Sequence, residues 1–267
     1  MAEQDTYEIF ALKYAERNSR VRGDSFMFDD DHASPHPMDY YVWVVRNGRR
    51  VFLVDTGYDH KEGARRNRPV LEDPAIMLKR LDLQPADISD VIITHLHYDH
   101  AGGLEYFENA RLHMQEAELG YAVSACMCHD ALRAPFTADH VCNAVKRLYS
   151  GKVVFYSGSA ELAPGVRVHR IGGHSRGLQI VEVSTTRGRV ILASDASHYY
   201  ENYQRGKLFP IVIDPEEMLE GFKRLRTLAP SDDHIIPGHD PLVRQRFPRA
   251  FAADDRVVRL DVPPVAR

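Results

Sequence analysis

Cysteine is scarce in this chain. Only Cys126, Cys128 and Cys142 occur among 267 residues, too few and too closely grouped for a disulfide framework. No apolar run approaches the roughly 18 residues that suggest a membrane-spanning helix, so no membrane partner is expected. The opening residues Met1-Ala2-Glu3-Gln4-Asp5-Thr6 lack the basic stretch and apolar segment of a secretory signal, which makes cytoplasmic residence the expectation. An excess of positive charge is also missing. Lys and Arg number 34 against 38 Asp and Glu, a formal net charge of -4, and nucleic acid is therefore not expected as a partner. There is no internal repeat and no Gly/Ser/Pro-rich linker, which favours one domain over residues 1–267.

What is present reads as strands first and helices later. Strands are expected at residues 7–12, 40–45 and 51–54, the last two joined in a hairpin at Asn47-Gly48, a pair that tolerates the positive φ of a tight turn. Asp90-Val91-Ile92-Ile93-Thr94 is long enough for a buried strand and too short for a helix. Further strands are expected at 153–156, 166–171, 178–183 and 190–193. A helix begins at Asp214 as N-cap, with Pro215 in its first turn and Glu217 placed to complete a capping box. Its apolar residues Met218, Phe222, Leu225 and Ala229 recur at helical spacing. Residues 116–152 read as two helices broken at Ala134-Pro135, a helical insertion shaping the pocket. Cys126-Met127-Cys128-His129 within it has too short a spacing for the usual zinc sites and reads as helix packing. The pattern fits an α/β sandwich of sheets with outer helices better than a strictly alternating parallel fold.

His95-Leu96-His97-Tyr98-Asp99-His100 concentrates three imidazoles and one carboxylate in six residues directly after a strand. His95 and His97, two apart at a strand end, point to the same side, and Gly102-Gly103 allow a tight turn beneath them. Such donors suit borderline metals such as zinc. Four ligands so close together cannot all serve one tetrahedral ion, so two ions sharing the segment is the better solution. Gly172-Gly173-His174, Ser194-Asp195 and Pro237-Gly238-His239-Asp240 each follow a predicted strand, beside small or turn residues.

On these residues the sequence resembles the metallo-β-lactamase superfamily, whose hallmark is His-x-His-x-Asp-His, from about residue 40 to 240. The resemblance implies an αββα sandwich, two mixed sheets packed face to face with outer helices. It assigns His95, His97 and His174 to one divalent ion and Asp99, His100 and His239 to a second, with Asp195 bridging both and Asp55 steadying the ligand histidines from behind. Zinc is the first expectation for the metal, with manganese, iron and cobalt open. A homodimer is compatible with the family; nothing in the residues demands one.

Within the superfamily the chain is most similar to the N-acyl homoserine lactone lactonases, the quorum-quenching group. The similarity rests on the run His95 to Gly103, on Asp195-Ala196-Ser197 and on Ile211-Val212-Ile213-Asp214-Pro215. It implies attack of a metal-bridging hydroxide on a lactone or other small-molecule ester, with Asp99 helping to move the proton. That group commonly carries a tyrosine three residues after the bridging aspartate. Here His198 stands there, followed by Tyr199 and Tyr200, so either His198 or a neighbouring tyrosine is the candidate catalytic donor, with a plain pocket wall as the alternative. Phe26, Met27, Phe28 and Met38, with Met127, Leu132 and Phe136, are the candidate apolar walls. Hydrolysis of another cyclic ester, cyclic amide or thioester, as in glyoxalase II-type enzymes, is the rival activity. A non-catalytic metal-binding sensor is a third reading, disfavoured because all seven ligand positions are intact.

Overall fold

In the computed structural model, which describes residues 5–265, alternating side chains of two neighbouring strands divide between two cores. β1 (Glu8–Arg17) and β2 (Met38–Arg46) pair antiparallel, with Phe10 opposite Val44 and Leu12 opposite Val42. Successive side chains of a strand point to opposite faces. Ile9, Ala11, Tyr41, Trp43 and Val45 enter one core, and Phe10, Leu12, Tyr40, Val42 and Val44 the other. With neither face left to water, such strands read as continuous apolar runs.

β3 (Val51–Val54) continues this sheet antiparallel, and β4 (Asp90–Ile92), β5 (Arg111–Gln115) and β6 (Val153–Tyr156) follow in parallel. The second sheet holds β7 (Ser159–Ala163), β8 (Val166–Arg170), β9 (Gln179–Thr185) and β10 (Gly188–Ser194), all antiparallel, with β11 (Ile235–Pro237) parallel to β10 at its edge. β12 (Arg249–Phe251) and β13 (Asp254–Arg259) return to the first sheet, beside β1. Val166, Val168, Ile180 and Val183 share a core with Ile9, Trp43 and Val54, so the two mixed sheets pack face to face. Helices cover the outside, Pro215–Leu228 against β10 and Ala138–Tyr149 over the outer core of the first sheet. This is the expected αββα layering.

Three local expectations change. The β2–β3 hairpin turns at Asn47, but neither Asn47 nor Gly48 takes positive φ. The Asn47 side-chain oxygen instead accepts from the amides of Arg49 and Arg50, both at 2.9 Å, closing the turn as an Asx motif. The first expected helix of residues 116–152 is shorter. Glu116–Ala122 stops, the Ser124 hydroxyl accepts from the Cys126 amide at 3.2 Å to cap a further turn, and Asp130–Arg133 adds another. Because β5 and β6 are parallel neighbours, this segment is the crossover that parallel pairing requires. β5, β7, β12 and β13 were not expected at all.

Candidate metal centre

Every ligand candidate leaves the end of a strand. After β4 the chain runs through Thr94 and His95 to His97, which caps the single helical turn Tyr98–Ala101 carrying Asp99 and His100. The rings of His95 and His97 lie 4.4 Å apart between centroids, the same-side placement that an i, i+2 spacing dictates. Gly102 and Gly103 follow, and their role is close approach, not unusual φ. A Cβ on Gly102 would stand 2.7 Å from the Gly57 carbonyl, and one on Gly103 2.6 Å from that of Thr56. The turn is thereby pressed against the end of β3. His174 comes after β8, Asp195 directly after β10 and His239 after β11. The parallel pairing of β10 with β11 brings the last two to the same end of the sheet.

The seven side chains converge as two triads around one carboxylate. His95, His97 and His174 form one group and Asp99, His100 and His239 another, the donor atoms of each lying within 4.8 Å of one another. Asp195 Oδ2 lies 3.3 Å from His174 Nε2 and 3.7 Å from His95 Nε2. Its Oδ1 lies 3.0 Å from His239 Nε2 and 3.4 Å from His100 Nε2. His95, His100, His174 and His239 are all at most 2% exposed. His100 Nε2 and Asp195 Oδ1 are buried without a hydrogen-bond partner, and unpaired buried donors and acceptors are costly unless something else satisfies them. Two imidazole nitrogens, His95 Nε2 and His174 Nε2, face each other at 3.2 Å. A divalent ion in each triad would satisfy all of these atoms at once, and the imidazole and carboxylate donor set fits such ions. Burial opposes charge on both His100 and Asp195. The neighbouring carboxylates Asp195, Asp55 and Asp99 nevertheless hold the His100 imidazole well above its ordinary range, while His239, His100 and His198 hold Asp195 well below its own.

Contacts behind the ligands fix their orientation. Asp55, fully buried in the left-handed region at φ 60°, accepts from His100 Nδ1 at 2.7 Å, the Thr94 hydroxyl at 2.7 Å and the Thr94 amide at 2.8 Å. His174 Nδ1 donates to the Ile211 carbonyl at 2.6 Å and His239 Nδ1 to that of Asp39 at 2.9 Å. Each such bond leaves Nε2 free to act as a ligand atom. Glu217 does not complete the expected capping box. The Asp214 amide is already taken by the Gly173 carbonyl, so Asp214 alone caps the helix and Glu217 accepts from the Gly173 amide at 2.9 Å. Gly173, at φ 81°, has no room for a Cβ, which would meet Met218 at 2.7 Å. The helix start and the His174 loop are thus clamped together.

Glu118 was missed by sequence reasoning, because a lone Glu in the short helix Glu116–Ala122 looks like a solvated face. It is fully buried. It accepts from the Leu96 amide at 2.8 Å, the Ser175 hydroxyl at 2.7 Å and the Gly177 amide at 2.9 Å, tying the His95–His97 loop to the His174 loop. Burial pushes its carboxyl up, and these hydrogen bonds oppose the shift. Glu118→Ala would orphan three buried donors and is expected to cost roughly 3–5 kcal/mol. Urea unfolding would show this as a lower midpoint, and Glu118→Gln should recover part of the loss.

The cluster forms the floor of a cavity of about 240 Å³. His198 reaches it. Its Nε2 lies 2.9 Å from Asp195 Oδ2, its Nδ1 is buried without a partner, and its ring stacks on Phe209 at 3.7 Å. Burial pushes the His198 imidazole down to about 4 against the pull of Asp195, so it is neutral at pH 7. Tyr199 and Tyr200 do not reach it. Tyr199 caps the helix Tyr200–Arg205, and its hydroxyl turns to the Pro37 carbonyl and the Ser25 hydroxyl at 3.3 and 3.4 Å. That turn swings both tyrosines to another face, where they border a separate depression. The tyrosines at the cavity are Tyr40 and Tyr98, hydroxyls 3.4 Å apart. Of the apolar wall candidates only Met38 lines the cavity. Phe26 packs on His36 and Tyr199, Phe28 is 90% exposed, and Phe136 packs against the His97 ring. Met127 and Leu132 sit on turns whose Ala131, Ala134 and Pro135 face the cavity instead.

The metallo-beta-lactamase superfamily model matches residues 37–239, a span containing all seven ligand candidates. An N-acyl homoserine lactonase of Bacillus thuringiensis is 31% identical over 166 residues, which is 61% of this chain, and the chain spans only 60% of that relative's length. An N-acyl homoserine lactonase of a Bacillus species is 31% identical over 221 residues, covering 76% of this chain and 82% of the relative. A solved N-acyl homoserine lactone hydrolase, with the product N-hexanoyl-L-homoserine at its catalytic metal centre, superposes with a TM-score of 0.73. That superposition covers 90% of this chain and 96% of the other at 24% identity, a likeness of fold.

Proposed function

The chain belongs to the metallo-beta-lactamase superfamily, and from that footing we propose that it is a metal-dependent hydrolase opening a lactone ring, an N-acyl homoserine lactone or a related lactone. The observation that carries this reading is the pair of histidine-rich triads joined by the two oxygens of Asp195 at the floor of a cavity. The similarity to N-acyl homoserine lactonases supports the substrate class.

His95, His97 and His174 would hold one ion, Asp99, His100 and His239 the second, and Asp195 both, with zinc the first expectation. A bound pair supplies a water of lowered pKa as nucleophile and a Lewis acid for the ester carbonyl. The chain's own residues do the rest. Asp55, the Ile211 carbonyl and the Asp39 carbonyl hold imidazole protons at Nδ1 and leave Nε2 facing the cluster. Asp99 borders the cavity and is placed to carry a proton from water to the departing alkoxide. Burial of the ligands excludes bulk water and strengthens each of these interactions.

His198, as a neutral ring with Nε2–H donating to Asp195 Oδ2, acts as a positioning residue for the shared carboxylate. His198→Gln is expected to weaken ion binding about 10- to 100-fold, read by competition with a chromogenic chelator; unchanged affinity would remove this role. The function itself is tested with metal-analysed protein on short and long acyl homoserine lactones, simple γ-lactones, aromatic lactones and a thioester. Turnover of lactones with about two ions per chain supports the reading. Turnover of the thioester alone transfers it to the thioesterase class.

A further inference from the structure

The cavity wall above the cluster is cationic. Arg17 at the end of β1, Arg20 just after it and Arg68 in the loop following the helix His60–Arg65 all line the cavity. A guanidinium drawn into a protein wall is ordinarily matched by a carboxylate. Arg66, on the same wall, shows that ordinary case: it pairs with Glu62 and donates to the carbonyls of Ala134 and Phe136, both at 2.9 Å. The other three form no ion pair among the described residues. Arg17, half-buried, also makes no side-chain hydrogen bond there. Arg20 reaches the Asp24 carbonyl and the Ser25 hydroxyl through one nitrogen, and its Nε is buried without a partner. Arg68 donates to the Tyr98 hydroxyl and lies 4.8 Å from that ring's centre.

Little on the wall offsets this charge. Asp24 lines the cavity too, and its carboxylate accepts from the Val21 amide at 3.1 Å. The remaining acids there, Asp99 and Asp195, belong to the cluster. Three guanidiniums therefore face one carboxylate outside the floor. The space is also small: about 240 Å³, below the roughly 300–1,000 Å³ of sites for drug-sized ligands. A long acyl chain does not find the volume.

Resting on the hydrolase reading above, we propose that the substrate is a compact lactone or ester bearing its own carboxylate, held by Arg17, Arg20 and Arg68 while the ester carbonyl lies over the cluster. The planar guanidinium matches a carboxylate in two parallel hydrogen bonds. A neutral isostere would leave three half-buried cations unmatched, and sites built to pair a polar group reject analogues that lack it. In the reaction the acyl C–O bond of the ring breaks and the oxygen of water joins the acyl carbon. One hydrogen of that water ends on the released alkoxide oxygen, and the new acid gives up the other as a proton. The product is a hydroxy acid with two carboxylates.

The test compares γ-butyrolactone carrying a carboxylate on its γ-carbon with the neutral carboxamide of the same ring, using metal-loaded wild type, Arg17→Gln and Arg68→Gln. Calorimetric binding of α-hydroxyglutarate, the ring-opened product, is measured in parallel. Wild type is expected to favour the carboxylate in kcat/KM by more than about tenfold, with the ratio falling toward one in Arg17→Gln, mainly through KM. α-Hydroxyglutarate should bind wild type at least about tenfold tighter than the variant. Equal kcat/KM for the two rings in wild type, or equal losses on both in the variants, overturns the anion site even if lactones are hydrolysed. Arginine-dependent binding of α-hydroxyglutarate with no lactone opened leaves the anion site standing and removes the lactone chemistry instead.

Discussion

Replacing Asp195 with alanine is expected to lower kcat/KM for lactone opening on the order of 10³-fold or more and to reduce the bound metal from about two ions per chain toward one. Among the described residues no other carboxylate lies between the two triads. Its two oxygens face different pairs of imidazoles, Oδ2 toward His95 and His174 and Oδ1 toward His100 and His239. On the two-ion reading alanine would remove one ligand from each ion together with the negative charge that His239, His100 and His198 stabilise. Loss of several kcal/mol of transition-state stabilisation corresponds to that factor, since each 1.36 kcal/mol is tenfold in rate. Asp195→Asn keeps the shape and one oxygen acceptor but not the charge. It is expected to fall between wild type and alanine in metal content, near alanine in rate. Elemental analysis of dialysed protein beside steady-state kinetics separates the two effects. Full activity with two ions retained in Asp195→Ala would mean that the carboxylate does not join the triads, and its assignment as the shared ligand would fall.

Much of this centre was legible because its chemistry is local. Four candidate ligands sit in six residues, and the remaining three each follow a short apolar run beside Gly or Ser, where a strand must end and a side chain is delivered to the sheet edge. Contacts that reach across the chain were not legible. Glu118 and Glu217 are residue types that usually face water, and only the folded chain shows the amides of Leu96 and Gly173 arriving at their carboxylates. The same holds for the arginines: Arg68 lies far along the chain from Arg17 and Arg20, and nothing in their neighbours announces a common cavity. Tyr199 misled for a different reason. Proximity in sequence to Asp195 suggested proximity to the cluster. The helix that starts at Tyr200 rotates the chain within one residue of His198, so adjacent side chains face different cavities. β12, at the edge of its sheet, and its neighbour β13 carry Arg and Asp at exposed positions, which diluted the alternation that marks a half-buried strand.

Stripping the ions is expected to lower the melting temperature by on the order of 20 °C while leaving the far-ultraviolet circular dichroism of the folded chain largely intact. Anything that binds the native state alone stabilises it by mass action, about 4 kcal/mol for each site filled at a thousand times its Kd. Two such sites give roughly 8 kcal/mol, and in chains of this size each kcal/mol moves the melting point by about 2–4 °C. The secondary structure should survive because the apolar cores lie between the two sheets and outside the first, built from residues such as Trp43, Val181 and Leu53, none of them among the cluster's ligand candidates. What the stripped chain loses is compensation at the cavity floor. His100 Nε2 and Asp195 Oδ1 would stay buried without partners, and the facing nitrogens of His95 and His174 would have to share one proton at 3.2 Å or part. Scanning calorimetry of chelator-treated, then chelator-free protein measures the drop, and addition of zinc should restore it. Manganese, cobalt and iron, added in turn, would rank by the recovery they give. A melting point that does not move when elemental analysis reads zero metal would show that the seven residues are satisfied by one another, and that the cluster is a hydrogen-bonded network instead of a metal site.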